Sequence, residues 1–318
     1  MALYLSEEDV RKVLTTAMAL EAVESAHREL SLGQAQDTPR ARTRLPGTAL
    51  HVLHGALPEQ GIIGYKAYTS NRSGNRFFVH LFDSGSGVPL ATLSADRLGM
   101  VRTGAASGLA TRFLARAESR VLGLFGAGWQ AEGHLEAVCA QRPIEEVRVY
   151  ARRADRLADF CARMGERLGI RVVPASSPEA VVREADVLGT VTTSASPLFD
   201  ATWLTPGTHI NAAGSNALVR RELSEEAIRQ AALVCVDAVP TALAEAGDLL
   251  PLLDKGRLHS RQLVELGDIV TGRHPGRISP LDITLFESQG LAIQDLALAV
   301  RVLAAAQQKG LGSPLPVG

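Results

Sequence analysis

The sequence predicts an α/β protein: a doubly wound parallel sheet in the rear part of the chain, beside a smaller α+β region built from the front. Three observations carry this expectation. Beyond about residue 116, short apolar runs alternate with segments of helical period, as βαβ crossovers require. From Thr38 to about Leu93, β-like runs follow one another with only Pro, Gly, Asn and Ser clusters between them. Finally, "GLFGAGWQAEGH", Gly123 to His134, sets a glycine-rich turn between an apolar run and a helical pattern.

Taken in order, Ser6 and Asp9 have the spacing of a capping box, and Val10, Val13, Leu14, Ala17 and Met18 share a helical face, so the chain is expected to open with a helix. "ALHVLHGAL", "GIIGYKAYT" and "RFFVHLFD" read as strands of a mainly antiparallel sheet, and "SGSGVP" at Ser84 to Pro89 as a hairpin turn leading into one more short strand. Thr103 to Leu114, rich in Ala, Leu and Gly, reads as a helix. The change of texture across "ARAESR" sets the expected domain boundary after residue 115. Strand "RVLGLF", helix Gln130 to Gln141, strand "EVRVYA", helix Ala154 to Leu168, strand "IRVVPA" and helix Pro178 to Ala185 follow. Then come strands "VLGTVTT" and "HINAAG", helix Ser224 to Ala232 and strand "LVCVDA". A last helix, Ile293 to Lys309, is expected to return to the first domain. That gives residues 1–115 with 291–318 as one domain and 116–290 as the other, with "GSPLPVG" as a frayed tail.

Composition narrows the function classes. The 318 residues leave room for two domains, and 33 basic against 34 acidic residues, a net charge of −1, form no phosphate-tracking stripe, so nucleic acid is not an expected partner. Cys139, Cys161 and Cys235 are odd in number and lack metal-ligand spacing; they read as buried thiols in a reducing compartment, and no metal is expected. The opening "MALYLSEEDV" turns acidic where a secretory signal would stay apolar. In "LAIQDLALAVRVLAAA" the apolar run is broken by Gln294, Asp295 and Arg301, too polar for a membrane span. A soluble, cytoplasmic protein is expected.

Gly126, Gly128 and Ala131 fill the pattern G-x-G-x-x-G/A, and here the pattern follows a strand and opens a helix. Gly126 permits the tight turn, Gly128 lets backbone approach a pyrophosphate, and Ala131 lets helix and strand pack closely. The helix start, with Trp129 and Gln130, offers amides to the anion. A dinucleotide is therefore expected. At the end of the next strand, where a carboxylate would hold the ribose of NAD, stand Tyr150, Ala151, Arg152 and Arg153. Two guanidiniums and no carboxylate favour NADP, with NAD as the alternative should the arginines be a solvated helix start. Thr192, Thr193 and Ser194 follow the fourth strand, where such folds meet the cofactor, though ordinary capping also accounts for them. His209, within a strand, reads as a core residue with satisfied hydrogen bonds.

Several blocks in order then resemble the ornithine cyclodeaminase and mu-crystallin family: "RTGAASGLATRFLA", "GAGWQAEGHLEAV", "ADVLGTVTTSASPLF", "PGTHINAAGSN", "EAGDL", "ELGDIVTGRHPGRIS" and "ITLFESQGLAIQDLALA". The resemblance covers nearly the whole chain. It implies a Rossmann domain plus a substrate and dimerisation domain made of the N-terminal part and the last helix, and a homodimer. It also implies nicotinamide chemistry on a carbon bonded to nitrogen beside a carboxylate. Arg42, Lys66 and Arg102 match the family's carboxylate-binding cations, with Arg40 and Arg44 crowding the register of Arg42. The residues argue likewise, since a lone Lys in an apolar strand and an Arg before an Ala-rich helix need partners if buried; the other reading makes them surface charges with their stems on the sheet. Thr103, at the expected helix start, would touch cofactor phosphate, while Ala213 and Gly214 of "AAGS" would run beside the nicotinamide.

One position departs from the pattern. Cyclodeaminases of the family carry an aspartate base where this chain has Asn216, and an amide cannot take a proton. The expected activity is therefore reduction of a ketimine or cyclic imine carboxylate of the pyrroline- or piperideine-2-carboxylate type, with Asn216 holding the substrate nitrogen. Lys66 would donate a proton, its pKa lowered by Arg42 and Arg102. Ornithine cyclodeamination, alanine-type dehydrogenation and NADPH-dependent small-ligand binding without turnover are the alternatives.

Overall fold

A three-residue strand, β1 (Leu3–Leu5), precedes the expected opening helix in the computed structural model, which describes residues 2–316. The capping box forms, with Ser6 Oγ accepting from Asp9 N at 3.2 Å and Asp9 accepting from Ser6 N at 3.1 Å. The helix it starts, α1 (Glu7–Val13), is short: Leu14 turns extended, and Thr15 caps a second helix, α2 (Thr16–Ser31), by accepting from Met18 N at 3.1 Å. One periodic pattern thus covers two helices, because a threonine in mid-pattern offers the backbone its own hydroxyl.

Five long strands follow: β2 (Gln36–Leu45), β3 (Thr48–Leu57), β4 (Ile62–Asn71), β5 (Gly74–Asp83) and β6 (Pro89–Ser94). They pair antiparallel in sequence order, while β1 adds to β6 in parallel. β2 was not expected as a strand. It is polar and holds Pro39, which the sheet accommodates because β2 is an edge strand with a register break between Thr38 and Ala41. The expected frayed tail also differs: Ser313–Pro314 pairs with Leu3 and Tyr4, whereas Val317 and Gly318 lie outside the described residues.

The helix Ala292–Gln308 packs on β3, β4 and β5 together with α2. It comes close because Gly55 and Gly64 face each other across the β3–β4 pair; a Cβ on either would lie 2.9 Å from Ile293 Cγ2 or 3.0 Å from Leu296 Cδ2. The opposite face of this sheet exposes Leu50, Ile63 and Phe78, with Tyr65 stacked on His80 at 4.6 Å.

By contacts the chain divides into a first unit, the described residues up to Arg102 and from Gly290 onward, and a second, Thr103–Gln289. The division falls inside α3 (Asp96–Leu114), which starts seven residues before the expected Thr103, rather than after residue 115. The second unit is an eight-stranded, all-parallel sheet. Its strands are β7 (Val121–Phe125), β8 (Glu146–Tyr150), β9 (Arg171–Pro174), β10 (Val187–Thr190), β11 (His209–Ala212), β12 (Ala231–Val236), β13 (Leu263–Glu265) and β14 (Ile283–Glu287). Their order is β13-β12-β14-β11-β10-β7-β8-β9, so the direction of winding reverses between β7 and β10. β14, within the "ITLFESQG" that was not read as a strand, lies between β11 and β12. Among the described residues no helix is long and apolar enough to cross a membrane.

Candidate active site

In the first unit, Lys66 sits in the middle of β4, opposite Leu53 of β3 and Val79 of β5. It shares a sheet face with Gly64, hence with the helix Ala292–Gln308, and is only 3% exposed. Its Nζ donates to Asp295 Oδ1 at 2.8 Å. Arg102, 6% exposed, donates from Nε to the same oxygen at 3.2 Å and from Nη1 to Gln294 Oε1 at 3.1 Å, and Gln294 Nε2 lies 2.9 Å from His27 Nε2. Two buried cations thus share one carboxylate oxygen, while Asp295 Oδ2 is buried with no hydrogen-bond partner among the described residues.

Burial drives the Lys66 ammonium down to about 8; Asp295 pulls it up, and the charges of Arg102 and Arg40 push it further down. Among the charges that act most on Lys66 is Arg40, which lies at the register break of β2, two residues before the expected Arg42. Arg42 pairs with His51, and Arg40 lies 5.9 Å from the Tyr68 ring centre. With burial, Arg40, Arg42 and Arg44 hold His51 down at about 4, so β2 forms a positive strip along this edge.

Arg102 and Thr103 were expected at a helix start and are not there. The first amides of α3, those of Asp96 and Arg97, are taken by the Glu7 carboxylate at 3.2 and 2.9 Å. Sequence reasoning also missed Asp295. The available signal was the polar pair Gln294–Asp295 near the start of an otherwise apolar helix, read only as an argument against a membrane span.

In the second unit the glycine loop leaves β7 and enters α4 (Trp129–Cys139). Gly126 has φ +111°, and a Cβ on it would lie 2.9 Å from Val191 O in the loop after β10. At Gly128, the N-cap, a Cβ would meet nothing within 4 Å, and no side chain caps the helix. Ala131 is fully buried against the sheet, while Trp129 and Gln130 are exposed. An open, uncapped helix start behind a tight glycine turn fits the pyrophosphate of a dinucleotide.

After β8, Ala151 is half-buried and Arg152 is exposed and in no ion pair among the described residues; Arg153 stands at the N-cap position of α5 (Ala154–Leu168) and pairs with Asp155 at 3.3 Å. Thr192 and Thr193 follow β10, and Ala213, Gly214 and Asn216 follow β11. Thr192 N and Gly214 N both donate to the buried Glu222 carboxylate, and Asn216 Oδ1 accepts from Arg220 at 3.4 Å. His209 is buried between Thr284 Oγ1 at 2.9 Å and Asn211 Oδ1 at 3.2 Å, and burial holds it neutral at about 3.

The model of the ornithine cyclodeaminase/mu-crystallin family matches residues 2–310. A Δ1-pyrroline-2-carboxylate reductase of Bacillus cereus is 37% identical over 238 residues, 74% of this chain and 73% of that protein. The Thermococcus litoralis Δ1-pyrroline-2-carboxylate reductase, solved with NADH and L-proline, superposes with a TM-score of 0.94 at 31% identity, covering 98% of this chain and 100% of that one. An archaeal alanine dehydrogenase dimer with bound NAD gives 0.93 at 33% identity, covering 99% of each chain.

Gly290 has φ +84°, and a Cβ there would lie 2.4 Å from Arg102 Nη1. Gly290→Ala is therefore expected to destabilise the protein by about 2 kcal/mol, measured by urea unfolding, as the left-handed backbone and the collision add.

Proposed function

The chain belongs to the ornithine cyclodeaminase/mu-crystallin family, and from that premise we propose that it is an NAD(P)-dependent reductase of ketimine or cyclic imine carboxylates, working toward the amine. The observation that carries this reading is the buried trio Lys66, Asp295 and Arg102. Two cations around one carboxylate leave one positive charge without a counterpart in a site poor in water, and the carboxylate of a small substrate supplies it. Arg42 is the third cation that the family resemblance assigns, and Arg40, whose charge reaches Lys66, lies beside it on β2.

The cofactor would be held by Gly126, Gly128, Trp129, Gln130 and Ala131 at the pyrophosphate, by Ala151, Arg152 and Arg153 at the adenosine ribose, and by Thr192, Thr193, Ala213 and Gly214 toward the nicotinamide. The half-buried Thr103 joins them on the resemblance alone. When bound, the dinucleotide supplies the hydride. Arg152, exposed and in no ion pair among the described residues, favours NADP. Lys66, at about 8, is mostly protonated at neutral pH and gives its proton to an imine nitrogen that arrives neutral. Asp295 keeps that ammonium in place. Asn216 can hold the substrate nitrogen but cannot deprotonate an ammonium group, which disfavours ornithine cyclodeamination. The exposed apolar face of the first sheet and the likeness to a dimeric alanine dehydrogenase support a homodimer; three cysteines outside any disulfide suit the cytoplasm.

Reduction of Δ1-pyrroline-2-carboxylate and Δ1-piperideine-2-carboxylate, followed as NADPH oxidation, tests the proposal; no turnover of any such imine with either nucleotide overturns it. Lys66→Met is expected to lower kcat/KM about 100-fold. The wild-type profile should fall on its alkaline side near pH 8, because the protonated form both binds the carboxylate and donates. Arg152→Ala should raise KM for NADPH about tenfold and change that for NADH less than about twofold. Asn216→Asp should release ammonia from ornithine, without net NADH formation, about tenfold faster than wild type.

A further inference from the structure

The structure assigns Glu222 as a positioning residue: its carboxylate ties the loop after β10 to the turn after β11 and so sets the two backbone segments on which a bound dinucleotide rests. This assignment rests on the reading of Thr192 and Gly214 as cofactor contacts. Glu222 is fully buried. Its Oε1 accepts from Thr192 N at 2.6 Å and its Oε2 from Gly214 N at 2.9 Å. The carboxylate packs directly on the backbone of Gly214, where a Cβ would lie 2.3 Å from Oε2 and 2.4 Å from Cδ.

The backbone around Glu222 braces the same loop. Glu222 O accepts from Leu198 N at 2.8 Å, and Ser194 O accepts from Arg221 N at 3.0 Å. Asp248 Oδ1 in turn receives Glu222 N at 2.6 Å and Leu223 N at 2.9 Å. An amide side chain of the same length has the same shape but presents only one acceptor oxygen, so one of the two loop amides would face its NH2 donor. Two amides from two loops need an ionised carboxylate.

The groups that face this carboxylate include the hydroxyls of Thr190 and Thr192, the carboxylates of Asp248 and Glu287, and Arg221, whose charge acts on Asp248. Burial, with the like charge of Asp248, lifts the Glu222 carboxyl to about 7 against the hydrogen bonds that lower it. On protonation one oxygen becomes a hydroxyl, and one loop amide faces a donor. Cofactor affinity is then lost as pH falls through about 7 and is fully present above it.

The test is the dissociation constant of NADH for the full chain, read by fluorescence titration from about pH 8.5 to about pH 5.5; NADH carries no 2′-phosphate to titrate in this range. For the wild type the constant should rise about tenfold toward acid. Glu222→Gln should bind about tenfold more weakly at the alkaline end and show a flat profile. Gly126→Val, which closes the pyrophosphate turn, separates the two levels of the argument. If Glu222→Gln binds as the wild type does while Gly126→Val loses binding, the assignment of Glu222 falls and the cofactor site stands. If neither variant loses binding, the cofactor reading falls and the assignment with it. Should Glu222→Gln fail to fold, the wild-type profile decides alone, and a flat one overturns the assignment.

Discussion

The first unit depends on one shared oxygen. Asp295 Oδ1 receives both the Lys66 ammonium and the Arg102 guanidinium, and without it two positive charges would face each other beside buried aliphatic side chains. Removing one member of such a buried set costs about 3–5 kcal/mol, because the charges left behind have neither water nor partner. Three elements meet there: β4 through Lys66, α3 through Arg102, and the last helix through Asp295. The glycine pair across β3 and β4 brings that helix close enough to the sheet. In the function proposed above, the same oxygen also holds the two cations that would receive an anion, so stability and binding would draw on one arrangement.

Buried or half-buried carboxylates recur as acceptors for paired backbone amides. Glu7 receives the first two amides of α3, Asp186 Oδ2 receives Arg120 N and Val121 N ahead of β7, and Asp248 receives Glu222 N and Leu223 N. In each case the two amides are neighbours along the chain, and the carboxylate fixes where a segment starts. Glu222 differs because its two amides come from separate loops. A capping group orders one end of one element; a group between two loops determines their spacing, which is what a flat, extended ligand requires.

The alternation of strands and helices in the second unit was legible because each strand is a short apolar run and each helix has its own period. "EVRVYA" gave β8, and α5 matches its expected bounds at Ala154 and Leu168. The glycine turn was legible because glycines stand between an apolar run and a helical pattern, and Gly126 has the φ of +111° that such a turn needs. Two kinds of strand were lost: those without an apolar signature and those whose apolar run is set among turn residues. β2 is an arginine-rich edge, and β14 sits in a loop-like stretch with Pro280 before it and Gly290 after it. Lys66 and Arg102 could be singled out because a charge among apolar residues needs a partner. The partner itself, 193 residues beyond Arg102, could not be read from spacing. Local pattern also placed the start of α3 too late, since a distant glutamate caps it.

The position of β14 also dictates when the chain can fold. It lies between β11 and β12, yet both precede it in the sequence, as does the edge strand β13. While the ribosome is still making residues 283–287, the parallel sheet has a gap at its middle, with β12 and β13 separated from the rest and two unpaired edges exposed. Asp295 emerges later still, so Lys66 is translated long before its counter-ion. Nascent chains of this protein are therefore incomplete in both units until residues 283–295 have been made, which is when chaperones that shield strand edges would matter most.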